Sequence, residues 1–226
     1  MARTYAYSAN FNKEVEKLFR EAKLLGEGHN GIVYELPDNK AVKIFIDKDI
    51  CREEAKILYK VRKSKFFPKI FKYDENYILR EMVPGKRLDH YIKENGMSKK
   101  LVMNLYKLFN EMKRLKFSKL DARCRDIYVD EEENIKVIDP KQCYTRKVSF
   151  PRHLMKGLKG IDSLDIFLNY MREIDYKSAK YWEIKFEEYC NEEVLKMDCF
   201  IDKRSIFITK ILWILFYIDA KNNEVV

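Results

Sequence analysis

Seven glycines and five prolines in 226 residues are too few for a glycine- or proline-rich linker, and no segment is of low complexity. Histidine is scarcer still, at three, and the five cysteines (Cys51, Cys124, Cys143, Cys190 and Cys199) include no C-x-x-C pair. A structural zinc site gathers such ligands at close spacing, so none is expected. The odd, dispersed cysteines point to reduced thiols in a cytoplasmic protein. The opening MARTYAYSANFNKEVEK lacks the apolar core of a signal peptide. Long hydrophobic runs are also missing: Ile206 to Ile218 is strongly apolar but too short to span a bilayer, and Lys210 interrupts it. No internal repeat is visible.

What is present is a folded composition, 46% hydrophobic and 36% charged, in a chain long enough for one large domain or two small lobes around a cleft. The formal charge of +9 raises nucleic acid or an anionic membrane as partners. The lysines are scattered among glutamates, however, which reads as solvated helix faces rather than a nucleic-acid stripe. A polyanionic small ligand would still benefit from the field.

The most informative stretch is Gly26 to Lys43, GEGHNGIVYELPDNKAVK. Gly26, Gly28 and Gly31 stand in the order G-x-G-x-x-G, with Val33 two residues on. Glycines so spaced let backbone amides approach phosphate oxygens where a Cβ would intrude. The β-prone runs Ile32-Val33-Tyr34 and Ala41-Val42-Lys43-Ile44-Phe45, joined by a turn-forming Pro37-Asp38-Asn39-Lys40, predict a hairpin and a third strand with Lys43 inside it. A dinucleotide-binding fingerprint would open a helix after its glycines, and a P-loop would put Lys-Ser or Lys-Thr directly behind them. Neither fits.

Around this stretch, Ser8 or Asn10 is a candidate cap for a helix reaching about Ala22, with Val15, Leu18 and Phe19 on one face. The run ICREEAKILYKVRK predicts a helix bearing Glu54, with Glu53 as the adjacent alternative. Two strands are expected at Pro68 to Tyr73 and Asn76 to Arg80, and a long buried helix between Met97 and Phe117 capped by Ser98. Next comes an acidic series: Asp121, then Asp126, two apolar mini-strands around the turn Asp130 to Asn134, and Asp139 just past the second. Aspartates in turns commonly cap and solvate. Their order behind a glycine loop and a strand lysine favours a functional reading. From Asp162 onward three helices are predicted, about Asp162 to Ile174, Ser178 to Lys196 and Arg204 to Ala220. Trp182, Phe186, Tyr189, Leu212, Trp213 and Phe216 serve as packing residues there.

Taken in this order, the features resemble the protein-kinase superfamily. The Asp139-Pro140 ending and the Phe150-Pro151-Arg152-His153-Leu154 stretch resemble the small minimal serine/threonine-kinase-like proteins of spore-forming bacteria. The resemblance covers roughly residues 20 to 170. It implies an α+β, bilobal protein-kinase-like fold: a small β-rich N-lobe at 1–82, a hinge at 83–85, and a reduced, mostly helical C-lobe at 86–226. It further implies that Gly26, Gly28, Gly31 and Val33 cover ATP, that Lys43 grips the phosphates and is held by Glu54, and that Glu81 and Val83 offer backbone groups to the adenine edge. Asp121 would accept or orient the proton of an attacking hydroxyl, and Asp126 and Asp139 would hold Mg²⁺ or Mn²⁺.

The departures from the family pattern are several. Arg80 falls at the gatekeeper position, usually apolar or small. Lys119-Leu120-Asp121 stands for H-R-D, Asp126 for the usual asparagine, and Asp139-Pro140-Lys141 for D-F-G; no A-P-E follows. Arg123, two residues after Asp121, is placed either to contact phosphate or to tie the loop to the C-lobe. The activity implied is ATP- and Mg²⁺-dependent phosphoryl transfer to a hydroxyl, with protein Ser/Thr as the expected acceptor. Two alternatives stay open: a small-molecule kinase of the aminoglycoside or sugar type, and a nucleotide-binding pseudokinase acting by protein contact.

Overall fold

A computed structural model describes residues 9–140 and 142–193. The first helix, α1 (Lys13–Phe19), begins where the Asn12 side chain accepts the Val15 amide at 2.9 Å. It is shorter than expected at both ends. Asn12, not Asn10, provides the cap, because the Phe11 amide is already turned back to the Ala9 carbonyl at 3.0 Å; Ser8 lies outside the described residues.

Five antiparallel strands follow: β1 (Lys23–Gly28), β2 (Gly31–Leu36), β3 (Lys40–Phe45), β4 (Ile70–Tyr73) and β5 (Tyr77–Glu81), in the order β1-β2-β3-β5-β4. The β2–β3 turn uses Asp38 and Asn39 at φ 60° and 54°, the left-handed region these two side chains tolerate. Alternate residues of a strand point to opposite faces, and on β3 that period sorts the sheet. Val42 joins Val15, Leu36, Tyr77 and Leu79 on the α1 side. Phe45 joins Cys51, Ala55, Leu58 and Ile78 on the other, where α2 (Lys48–Val61) packs. Lys43 shares the Phe45 face, so strand period alone turns its side chain toward α2. Asp47 starts that helix by accepting the amides of Asp49 and Ile50 at 2.8 and 3.3 Å.

After β5 the chain crosses through Gly85, whose φ of +93° and whose approach to Val129 (a Cβ would stand 2.0 Å from its carbonyl oxygen) admit only glycine. The rest of the first unit is helical around a small three-stranded sheet. Its parts are β6 (Lys86–Arg87), α3 (Leu88–Asn95), α4 (Lys99–Arg114), a 3₁₀ turn at Cys124–Asp126, β7 (Ile127–Val129), β8 (Ile135–Val137), α5 (Arg152–Lys159) and α6 (Leu164–Ile174). Ser98 caps α4 as its sequence predicts, accepting the Leu101 amide at 3.0 Å. Residues 176–193 are helical; the third C-terminal helix expected from the sequence lies outside the described residues.

The chain divides into two compact units, Met1–Ala179 and Lys180–Val226, and both sheets and α1 to α6 belong to the first. The architecture of the first unit is α+β, an antiparallel sheet region followed by a helical part. Among the described residues no helix is long and apolar enough to cross a membrane.

Candidate functional site

Register places the glycine loop over the strand lysine: Val33 pairs with Lys43, and Lys43 with Ile78 on β5. Lys43 Nζ meets Glu54 Oε2 at 2.6 Å, and both side chains are buried. The ammonium also lies 4.5 Å from the Phe45 ring centroid. Glu54 is the partner and Glu53 is not, because helical period turns Glu54 inward among Cys51, Ala55 and Leu58 while Glu53 stays exposed. Burial pushes the Glu54 carboxyl above its ordinary range, with Lys43 opposing, Asp139 adding and Arg80 opposing. Its Oε1 is buried with no hydrogen-bond partner among the described residues.

Arg80 is the second cation of this cluster. It is 5% exposed and its Nη1 donates to the Ile138 carbonyl at 3.0 Å. Burial draws its guanidinium down while Glu54 and Asp139 hold it up. A long cation in this position ties β5 to the residue preceding Asp139, and the buried group reads as two cations against two carboxylates.

Above these side chains lies a cavity of about 460 Å³ lined by the glycine loop, Val33, Lys43, Arg80, Val83 and Asp139, among others. That volume falls in the range of small-ligand sites. The three glycines differ in purpose. A Cβ on Gly31 would stand 2.0 Å from the Ile44 carbonyl oxygen, so that glycine is needed for strand packing. At Gly26 nothing lies within 4 Å, leaving the backbone open toward the cavity side. Along the crossing segment, the Glu81 amide is taken by the Lys69 carbonyl at 2.8 Å and the Met82 amide by Asn39 at 2.8 Å. Val83 is the next amide in line. The Glu81 side chain anchors this segment to β8 through Lys136 at 2.6 Å. Burial alone would raise its carboxyl, but hydrogen bonds from Lys136 and the Lys69 amide outweigh that and hold it low.

Asp126 and Asp139 line a second cavity of about 310 Å³, together with Glu54, Lys119, Arg123 and His153. Asp139 and Asn30 border both cavities. The two aspartates come together because the Ile138 amide bonds the Asp126 carbonyl at 2.9 Å, next to the β7–β8 pairing. Among the described residues no group of three or more His, Cys, Asp or Glu is gathered for a metal. Two carboxylates are, however, the protein share normally given to Mg²⁺ when phosphates complete the shell, so Asp126 and Asp139 fit that ion.

Asp121 lies elsewhere. Its side chain has no exposed surface and lines neither cavity. It accepts the His153 amide at 3.0 Å and meets the His153 ring Nδ1, with Arg152 Nε 3.8 Å away. The surrounding loop is stitched in place, with the Leu120 amide on the Val148 carbonyl at 2.8 Å and the Val148 amide on Ser118 at 2.9 Å. His153 lies in the Phe150 to Leu154 stretch that carries part of the resemblance, but the motif series gives it no role; it also stands at the start of an amphipathic run, Arg152 to Lys159.

The site is that of an α+β protein whose sheet and loop residues gather around cavities in the order that resembles a kinase. No family model matches the chain. A protein of Bacillus subtilis (strain 168) named "Putative serine/threonine-protein kinase YrzF" is 25% identical to it over 147 residues, which is 62% of this chain and 68% of that protein. The likeness is distant, and it points to kinase-like proteins.

Proposed function

We propose that the chain binds ATP with Mg²⁺ in the larger cavity and transfers the γ-phosphoryl group to a hydroxyl, with protein Ser/Thr as the acceptor class. The observation that carries this reading is the buried Lys43–Glu54 pair opening on a cavity that the glycine loop covers and Asp139 borders. A lysine buried without a partner would lose its charge; Glu54 gives Lys43 a partner at 2.6 Å and aims it. Gly26 and Gly28 leave backbone free for close approach, Glu81 and Val83 present the crossing segment to the base, and Asp126 and Asp139 would hold the metal. Mg²⁺, when bound, would neutralise charge on the transferred group. Asp121 would orient the proton of the attacking hydroxyl. Burial pushes the thiols of Cys51, Cys124 and Cys143 up to about 12, and all three are free, which suits the reducing cytoplasm.

The second reading is a nucleotide-binding pseudokinase, and one observation favours it: the Asp121 carboxylate is fully buried. Turnover of γ-labelled ATP with Mg²⁺ or Mn²⁺ decides between them, with thermal shift reporting nucleotide binding. Asp139→Asn is expected to abolish Mg²⁺-dependent binding, and Asp121→Ala to spare binding and stop transfer. Equal transfer by wild type and Asp121→Ala would sink the assignment. Binding with hydrolysis but no labelled protein would shift the acceptor to a small hydroxylated molecule. Binding with no turnover at all would leave the pseudokinase.

A further inference from the structure

Between the buried Asp121 and the cavity that Asp126 and Asp139 border stands His153. One Asp121 oxygen accepts the His153 backbone amide at 3.0 Å, and the other meets the His153 ring Nδ1, with Arg152 Nε 3.8 Å from that same oxygen; an ionised Asp121 takes a proton from Nδ1. The ring itself is about a quarter exposed, at 26%, and lines the 310 Å³ cavity. A histidine whose Nδ1–H is committed to a carboxylate carries its basic lone pair on Nε2. Such a carboxylate fixes tautomer and orientation and stabilises the imidazolium when it forms, without taking the proton itself.

The placement of His153 is built by packing. Helix α5 begins one residue before it, and the Met155 amide closes on the Pro151 carbonyl at 2.9 Å. One turn on, Gly157 lies against the loop that carries Asp121: a Cβ there would stand 2.6 Å from Cys124 Sγ. The Cys124 thiol in turn donates to the Leu154 carbonyl at 3.6 Å. The helix is thus seated on the 3₁₀ turn, and its second residue reaches the carboxylate.

We propose, on the basis of the phosphoryl-transfer reading, that His153 is the general base toward the acceptor hydroxyl and that Asp121 is the positioning residue behind it. The hydroxyl oxygen forms a bond to the γ-phosphorus of the nucleoside triphosphate. The bond from that phosphorus to the β,γ-bridging oxygen breaks, and its electron pair leaves with the diphosphate. The hydroxyl proton passes to His153 Nε2, and the resulting imidazolium, held against the Asp121 carboxylate, returns the proton to solvent.

The test uses the full chain, with ATP as donor and with water and the protein's own hydroxyls as acceptors. His153→Asn keeps an N–H donor where Nδ1 stands and removes the base; it is expected to lose about 100-fold in turnover while the nucleotide-dependent thermal shift is unchanged. His153→Ala is expected to regain activity when imidazole is added, a rescue that a merely structural role would not show. Long-range proton–nitrogen NMR spectra should place the His153 ring proton on Nδ1, with the signal displaced in Asp121→Asn. Wild-type rates in His153→Asn, faster turnover in either variant, no imidazole rescue, or an Nε2-protonated ring would each overturn the proposal while leaving the kinase reading standing. Wild type without Mg²⁺-dependent nucleotide binding or turnover would overturn both.

Discussion

Arg80 puts a buried positive charge on the wall of the proposed nucleotide cavity, a position usually apolar in kinases, and its effect should extend to the proposed metal site. Its guanidinium acts on Glu54 and Asp139 together and is bonded to Ile138. Replacing it by leucine removes a cation facing Asp139, so the local field becomes more negative. Arg80→Leu is therefore expected to lower, by several-fold, the Mg²⁺ concentration needed for half-maximal nucleotide binding. Urea unfolding should show a loss of about 3–5 kcal/mol, the range for removing one partner from a buried set of charges. An unchanged Mg²⁺ midpoint would mean that Arg80 and the metal site do not share a field. At this scale the Lys43–Glu54 pair was legible through the resemblance to kinases, while period placed Lys43 in a strand and a glutamate on the helix without separating Glu54 from Glu53. Arg80 was legible only as an oddity of position. The burial of Asp121 was not legible at all, since it depends on a residue 32 positions away.

At the scale of elements, ends are decided by capping. Asp175 stands before the helical residues 176–193, accepting the Ser178 amide at 3.1 Å, the Ser178 hydroxyl at 2.7 Å and the Tyr106 hydroxyl of α4 at 2.8 Å. These bonds favour the ionised carboxylate and hold it below its ordinary range, the two from Ser178 most of all. Because the folded pKa is depressed, the stability that Asp175 contributes is present above the unfolded carboxylate value of about 3.9 and is lost as pH falls through the folded one. Asp175→Ala is expected to cost about 1 kcal/mol at neutral pH, with the gap to wild type closing in thermal melts below about pH 4. A gap independent of pH would assign the cost to packing rather than to the charged cap. Caps also set where an expected helix begins: Ser98 starts α4 as the sequence predicts, while α1 starts at Asn12 rather than Ser8 or Asn10. The hairpin, α2 and the β7–β8 pair follow from local period and turn chemistry. The seat of α5 does not, because the Gly157–Cys124 contact joins segments with no common pattern.

For the whole molecule, the sheet and the helical part of the first unit contribute different walls of one cavity: the glycine loop and Lys43 from the first, Tyr128 and Asp139 from the second. A ligand that touches both walls binds the folded chain and has no counterpart in the unfolded one. At a hundred times its dissociation constant such a ligand stabilises by about 2.7 kcal/mol. In a domain of this size each kcal/mol moves the melting midpoint by roughly 2–4 °C, so ATP with Mg²⁺ should raise it by about 5–10 °C. Chelation by EDTA should remove most of the shift, because Asp126 and Asp139 repel the phosphates when no cation stands between them. Lys43→Ala should reduce the shift with the metal still present, since it removes a cation from the other wall and leaves Glu54 buried without its partner. The two losses separate the contributions: one follows the metal and is reversed by adding Mg²⁺ back, the other is not. A shift indifferent to EDTA and to Lys43→Ala would mean that the nucleotide stabilises the chain from outside this cavity, drawn by the net charge of +9 alone, and salt would then abolish it.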